Sequence, residues 1–519
     1  MRFITLVFLL LAGLAHAETP GIGLLGGGFD DVRRGIEALA TSGSVRAAPV
    51  LDALTAGRLF TRTNGGPVIK DGETYLDAES GAAVADAAGL RAVRSNNTVR
   101  RALEAAQGAL QLFSPDAGVR AAAAAVFKSR DGAALPALDR AIAAEKDAGV
   151  RGAMQDARAA AILASGESAE GARLAAVATL RVRGELDARA ILASLPPGQP
   201  ASVVVAAGDA VVGIDRLLQI WGLAQGAFYG VSLGSVLLLA ATGLAITFGV
   251  MGVINMAHGE MVMIGAYVTF MVQEVIKAHV PGLFGASLFI AIPLAFLVSG
   301  GIGVLIERGL IRFLYGRPLE TLLATFGLSL VLQQAVRSLF GPTNREVGTP
   351  AWMSGSGKIG QLTVTYNRVA IIVFAVAVLF SLMGVLRYTS LGLRMRAVTQ
   401  NRRMASAMGI RTPWIDALTF GLGSGVAGMA GVALSQIDNV SPNLGQGYII
   451  DSFMVVVFGG VGNLWGTAVG ALTLGVVNKF LEPVAGAVLG KIVVLVLLIL
   501  FIQRKPRGIF PLKGRAVEA

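Results

Sequence analysis

Few side chains in this sequence are equipped for chemistry. There is no cysteine, and the three histidines are His16, His258 and His279. A disulfide, a thiolate nucleophile and a Cys-ligated metal are therefore excluded, and no metal or cofactor is expected. No GxxxxGK[ST] occurs, because Gly357-Lys358 and Gly490-Lys491 are each followed by Ile. The chain has no P-loop of its own and is not expected to be an enzyme. Gly21 to Gly26 fits GxGxxG, but no strand precedes it, so a flexible leader is the better reading. What remains is a set of isolated polar residues in apolar sequence. Asn255, His258 and Glu260 interrupt the run Gly243–Tyr267, with Thr247 just before them. Asp451, Ser452 and Asn463 do the same within Ser435–Gly466. Polar groups at bilayer depth are costly and usually face protein or a polar pathway. These seven are the candidates for lining one. Around Asn255 three readings stay open: a loop between helices, a helix break lining a pathway, or a kink permitted by Gly249, Gly252, Gly259 and Gly265.

Composition says which elements must position these residues. Of 519 residues, 54% are hydrophobic and 15% charged, with mean hydropathy +0.66. A chain this apolar lies partly in lipid. The net charge of +11 does not point to nucleic acid, because Arg and Lys gather beside apolar segments, as the positive-inside rule requires. The apolar runs follow residue 216. The reading is mostly α: a polytopic helical membrane protein of about nine spans, preceded by an exported, mainly helical domain.

Residues 1–17 read as a cleaved secretory signal: Arg2, the apolar run Ile4–Leu14, then Ala15-His16-Ala17. Residues 18–200 read as a periplasmic domain. Its first part, 29–56, has helical periodicity in Val32, Ile36, Leu39, Leu51 and Leu54. Arg58–Asp77 reads as a hairpin or three-stranded patch, turning at Asn64-Gly65-Gly66 and Asp71-Gly72. Asn97–Leu195 is Ala- and Arg-rich and helical, broken near residues 115, 131, 148 and 166, and its loose repetition resembles HEAT-like helical pairs. Pro196-Pro197-Gly198 and Pro200 open a linker, 201–216. The domain's expected role is interaction or spacing.

The membrane part, 217–506, shows spans near 222–249, 258–276, 285–306, 319–340, 368–387 and 414–435, then three apolar segments between 449 and 503. The basic segments 307–317, 387–411 and the tail (507–519 and the residues just before it) are expected in the cytoplasm; Gln273–Pro281 and Phe340–Asn367 are expected outside. Gly421/Gly425, Gly466/Gly470 and Gly486/Gly490 are spaced for close helix packing. Thr389–Pro413 is the most basic loop. It carries Arg394, Arg396, Gln400, Asn401, Arg402, Arg403, Met408 and Gly409. Gln400–Met408 predicts a short helix ended by Gly409, a mechanical handle for a partner.

Several stretches carry a family resemblance. FGVMGVINMAHGE (248–260), TFGLSLVLQQ (325–334), Ser435–Gly466 and the tail FIQRKPRGIFPLKGR resemble permease subunits of the branched-chain amino acid and urea family of ABC importers. The likeness covers roughly 217–515, and its details, with the long exported domain, favour the urea type. The resemblance implies an inner-membrane subunit forming half of a pathway for urea or short amides. It also implies a second related permease subunit, two cytoplasmic ATP-binding subunits and a periplasmic solute-binding protein, with Thr389–Pro413 as the loop docking the ATPases. A permease for branched-chain or other amino acids is the first alternative; a zwitterion would look for charge at Glu260 and Asp451. A membrane-anchored sensor is the distant one.

Overall fold

The computed structural model describes residues 20–510, apart from 43, 45, 63–64, 73, 85–88, 128–134 and 166–167. The expected signal at 1–17 and the end of the basic tail lie outside the described residues. The chain divides into two compact units, Met1–Gln219 and Ile220–Ala519.

In the first unit, helices α1 (Phe29–Ser42) and α2 (Ala47–Thr55) precede strands β1 (Leu59–Arg62), β2 (Gly65–Asp71), β3 (Thr74–Asp77), β4 (Ala83–Val84) and β5 (Arg91–Ala92). The sheet is antiparallel, in the order β4-β3-β2-β1-β5, with Leu59 opposite Ile69. The expected three-stranded patch is thus the centre of a five-stranded sheet. Its outer strands have two residues each, too short to show alternation. Leu59 and Ile69 join Ile36, Leu39, Leu51, Val99 and Leu103 in one core.

Six helices follow: α3 (Asn97–Gln111), α4 (Ala117–Phe127), α5 (Leu135–Ala144), α6 (Ala148–Ala164), α7 (Glu170–Arg183) and α8 (Leu186–Ala193). Asn96 and Asp147 start α3 and α6 by accepting from free first-turn N–H groups. Leu138 and Met154 centre a second core, and Leu163, Val177 and Leu180 a third. Helix α9 (Ala201–Met251) begins where the linker was expected. Val203, Ala207, Ala210 and Ile214 fall on one helical face and are buried in that third core. The prolines end α8, and the chain then re-enters helix at once.

The second unit takes α9 from Ile220 onward, then α10 (His258–His279), α11 (Ser287–Gly309), α12 (Pro318–Phe340), a hairpin of β6 (Ser356–Ile359) and β7 (Leu362–Thr365), and α13 (Tyr366–Tyr388). Short helices α14 (Ser390–Gln400) and α15 (Arg402–Ala407) lead to α16 (Thr412–Leu434), α17 (Leu444–Gly459) and α18 (Leu464–Arg504). Among the described residues, seven helices are long and apolar enough to cross a membrane: α9 to α13, α16 and α18. This is a polytopic helical membrane protein.

The expectation of about nine spans differs from these seven only after residue 440. Helix α17 has 16 residues, short for a bilayer. Helix α18 has 41 but is interrupted at Gly486, whose φ of 76° belongs to the left-handed region. The chain reverses there. Asn463 Nδ2, just before α18, donates to the Phe510 carbonyl, just after it, at 3.3 Å. A Cβ built on Gly490 would lie 3.5 Å from Leu481 Cβ. So α18 is two antiparallel arms, and the Gly486/Gly490 spacing marks a hairpin and not a packing face.

The other two glycine pairs do pack helices. Gly421 faces α11 at Val304 and Gly300, and Gly466 and Gly470 face α17 at Gly459 and Val455. Helices α10 and α16 approach closely as well: a Cβ on Gly265 of α10 would collide with the Gly428 backbone of α16, and one on Gly431 of α16 with the Val262 carbonyl of α10.

Candidate functional site

Residues 252–257 form the break between α9 and α10, and they are not a solvated loop. Asn255, His258 and Glu260 are each 1% exposed. Met256 N donates to Thr325 Oγ1 of α12 at 3.1 Å, and Asn255 Oδ1 accepts from Ala257 N at 3.0 Å. His258 Nε2 lies 2.9 Å from the Ala240 carbonyl, so α10 begins beside the middle of α9's apolar stretch. Of the three readings of this break, the solvent loop fails on burial.

Glu260 sits in the first turn of α10, where unpaired N–H groups favour a negative charge. Its Oε1 accepts from Ser329 Oγ at 2.8 Å and Gln333 Nε2 at 2.7 Å. Both donors are on α12. Thr321, Thr325, Ser329 and Gln333 recur every fourth residue and form a buried polar stripe on a largely apolar helix. The sequence reading missed Ser329 and Gln333, although this period-four polarity inside TFGLSLVLQQ was a usable signal. Asn255 Nδ2, His258 Nδ1, Glu260 Oε2 and Ser452 Oγ are buried with no hydrogen-bond partner among the described residues. Thr247 is occupied otherwise: its Oγ1 donates to the Leu244 carbonyl of its own helix at 3.0 Å. Asn463 caps α18, accepting from Trp465 N and Gly466 N. Both residues have structural roles, which polarity alone did not reveal.

Asp451 is buried on α17, and its Oδ2 accepts from Lys491 Nζ at 3.0 Å. Lys491 is on the returning arm of α18, and its pairing was not foreseen. The two line a cleft of about 460 Å³ between α17, the Gly486 reversal and the segment before α17. Asp438, Asn439, Asn478 and Glu482 add polar wall; Leu233, Leu444 and Ala487 add apolar wall.

The basic loop is two helices, α14 and α15. The expected helix over Gln400–Met408 is split, with Gln400 closing α14. Asn401 adopts extended backbone and accepts from Met404 N at 2.9 Å, which starts α15. Gly409 ends it at φ 84°. Arg402 is exposed along its side chain, but its guanidinium reaches a buried partner. It pairs with Asp416 of α16, which is 1% exposed, and lies 4.5 Å over the Tyr315 ring. Arg396 donates to the Leu386 carbonyl. Arg394, Arg403, Met404 and Met408 are exposed, which leaves a basic and apolar face outward.

In comparisons with known proteins, residues 226–502 match the model of the family described as "Branched-chain amino acid transport system / permease component". The chain is 32% identical over 295 residues to the high-affinity branched-chain amino acid transport system permease protein LivH of Salmonella typhimurium, covering 55% of this chain and 94% of the relative. It is 32% identical over 294 residues to LivH of Escherichia coli K12, with the same coverage. It is 31% identical over 287 residues to BraD of Pseudomonas aeruginosa, covering 54% of this chain and 93% of the relative. No solved structure matches the chain.

Proposed function

The chain belongs to the permease-component family of branched-chain amino acid transport systems, and from that premise we propose that it is a membrane permease subunit of an ABC importer for amino acids. The observation that carries the reading is the family match across 226–502, nearly the whole second unit. Amino acids replace urea as the first reading. The relatives reported above carry branched-chain amino acid names, and none of them a urea name. The urea likeness rests on the quoted segments and the long first unit alone.

In this reading the subunit sits in the bacterial inner membrane, with the first unit and Gln273–Pro281 outside and the basic loop and C-terminus in the cytoplasm. It forms half of a pathway with a second, related permease. ATP is hydrolysed on two separate cytoplasmic subunits, and a solute-binding protein delivers substrate. The exposed face of α14 and α15 docks an ATPase, while the Arg402–Asp416 pair transmits its movement into α16. Asn255, His258, Glu260, Asp451 and Ser452 are the polar points of the pathway, joined by Ser329 and Gln333. The first unit docks the binding protein.

The test is uptake of labelled leucine and labelled urea at micromolar concentration, in cells with and without the gene and with urease inactivated. Loss of leucine uptake supports the reading. Loss of urea uptake alone overturns it in favour of the urea type.

A further inference from the structure

We propose that the cleft at the Gly486 reversal is a substrate station for an aliphatic zwitterion, with Lys491 holding the carboxylate and Asp438 the ammonium; this rests on the amino-acid reading above. A neutral amide needs only hydrogen bonds. A free amino acid must have both charges met when it leaves water, because an unpaired charge in a low-dielectric site is costly. This cleft offers both signs within about 460 Å³, a volume in the range of small-ligand sites.

Lys491 is half-exposed even while paired to Asp451, and an ammonium has three donors, so it can take a second carboxylate without releasing the first. The buried Asp451 thus fixes the position of Lys491. Asp438 is the complementary group. It is exposed on the cleft wall and makes no ion pair among the described residues. Glu482 also lines the cleft but is already paired to Lys479. Leu233, Leu444 and Ala487 supply apolar wall for an aliphatic side chain. Asn478 Oδ1 is buried at this cleft without a partner among the described residues, an acceptor left for a ligand's N–H. The reversal is what builds the station: without the positive φ at Gly486, Lys491 would continue along a straight helix, away from Asp451.

The experiment measures binding of labelled leucine at millimolar concentration to the purified, assembled transporter without its solute-binding protein. Leucinamide, which lacks the carboxylate, and 4-methylpentanoate, which lacks the ammonium, serve as competitors. The wild type should bind leucine and prefer it at least tenfold over either competitor. Asp451→Asn with Lys491→Gln removes both charges together and leaves no buried carboxylate unpaired. It should abolish the preference over leucinamide and keep that over 4-methylpentanoate. Asp438→Asn should do the reverse, and Lys491→Arg should retain both. Variants that keep the wild-type preferences overturn the station. If the wild-type cells also fail to take up leucine, the amino-acid reading has failed; if uptake is normal, only the station has.

Discussion

At the scale of single residues, the most consequential contact is the one Glu260 makes with Ser329 and Gln333, 69 and 73 positions away in the sequence. A buried carboxylate that loses its donors keeps its desolvation cost, and donors that lose the carboxylate are stranded. Glu260→Ala should therefore lower the melting temperature of the detergent-solubilised protein. A double-mutant cycle with Gln333→Ala should show coupling of about 1 kcal/mol, within the range for hydrogen bonds between membrane helices. Additive single-mutant effects would remove this network from the account. In the first unit, hydrogen bonds from Arg120 and then from the Asp147 backbone hold the Glu145 carboxyl down to about 2. A depressed carboxylate stabilises the folded state in full above its ordinary value of 4.5 and loses that contribution as pH falls toward 2. Thermal melts of the wild type should lose stability across that window, and Glu145→Gln should lose less. Neither pairing was legible in the sequence, where Glu260 and Glu145 are each one carboxylate among many. The period-four polarity of α12 was legible, and helical spacing alone puts Ser329 and Gln333 on one face.

At the scale of elements, the helices of the second unit are held by contacts that exclude side chains. Gly265 and Gly428 bring α10 and α16 to backbone contact, whereas Gly301 of α11 has open space around it. Gly428→Val should cost several degrees of melting temperature or block folding, as overpacking does, while Gly301→Ala should be neutral. Equal effects would mean that the α10–α16 contact is not what holds the bundle. The sequence marked the first two glycine pairs correctly as packing sites and misread the third, because GxxxG spacing is the same whether a glycine admits a neighbour or turns the chain. The basic loop is a second case. Its charge was plain in the sequence, yet the Arg402 guanidinium is committed to Asp416 and the Tyr315 ring, and neither partner lies in the loop. Asp416→Ala should weaken the seat of α15 by about 1.5–3 kcal/mol, the range for hydrogen bonds to charged groups. ATP-driven uptake should fall while membrane insertion is retained. Normal uptake would mean the pair transmits nothing.

At the scale of the whole molecule, the two units part within one continuous helix. Apolar residues of α9 up to Ile214 are buried in the first unit, so a deletion ending at residue 200 would expose that face. A deletion ending at Gln219, behind a retained export signal, should insert normally and lose uptake. Unaltered uptake would end the proposal that the first unit docks a partner.

The sequence by itself determined the membrane class, the helical make-up of the first unit, the position of six long apolar helices and the basic loop. All of these depend on composition and periodicity, which are local properties that burial and hydration impose on each stretch separately. Tertiary structure alone decided which of the polar residues were already satisfied. Thr247 and Asn463 proved to serve their own helices, while Glu260, Asp451 and Lys491 found partners 40 or more positions away. It also decided that α18 turns back at Gly486, because a backbone reversal is stabilised by what packs on both arms, and that is not written in either arm alone.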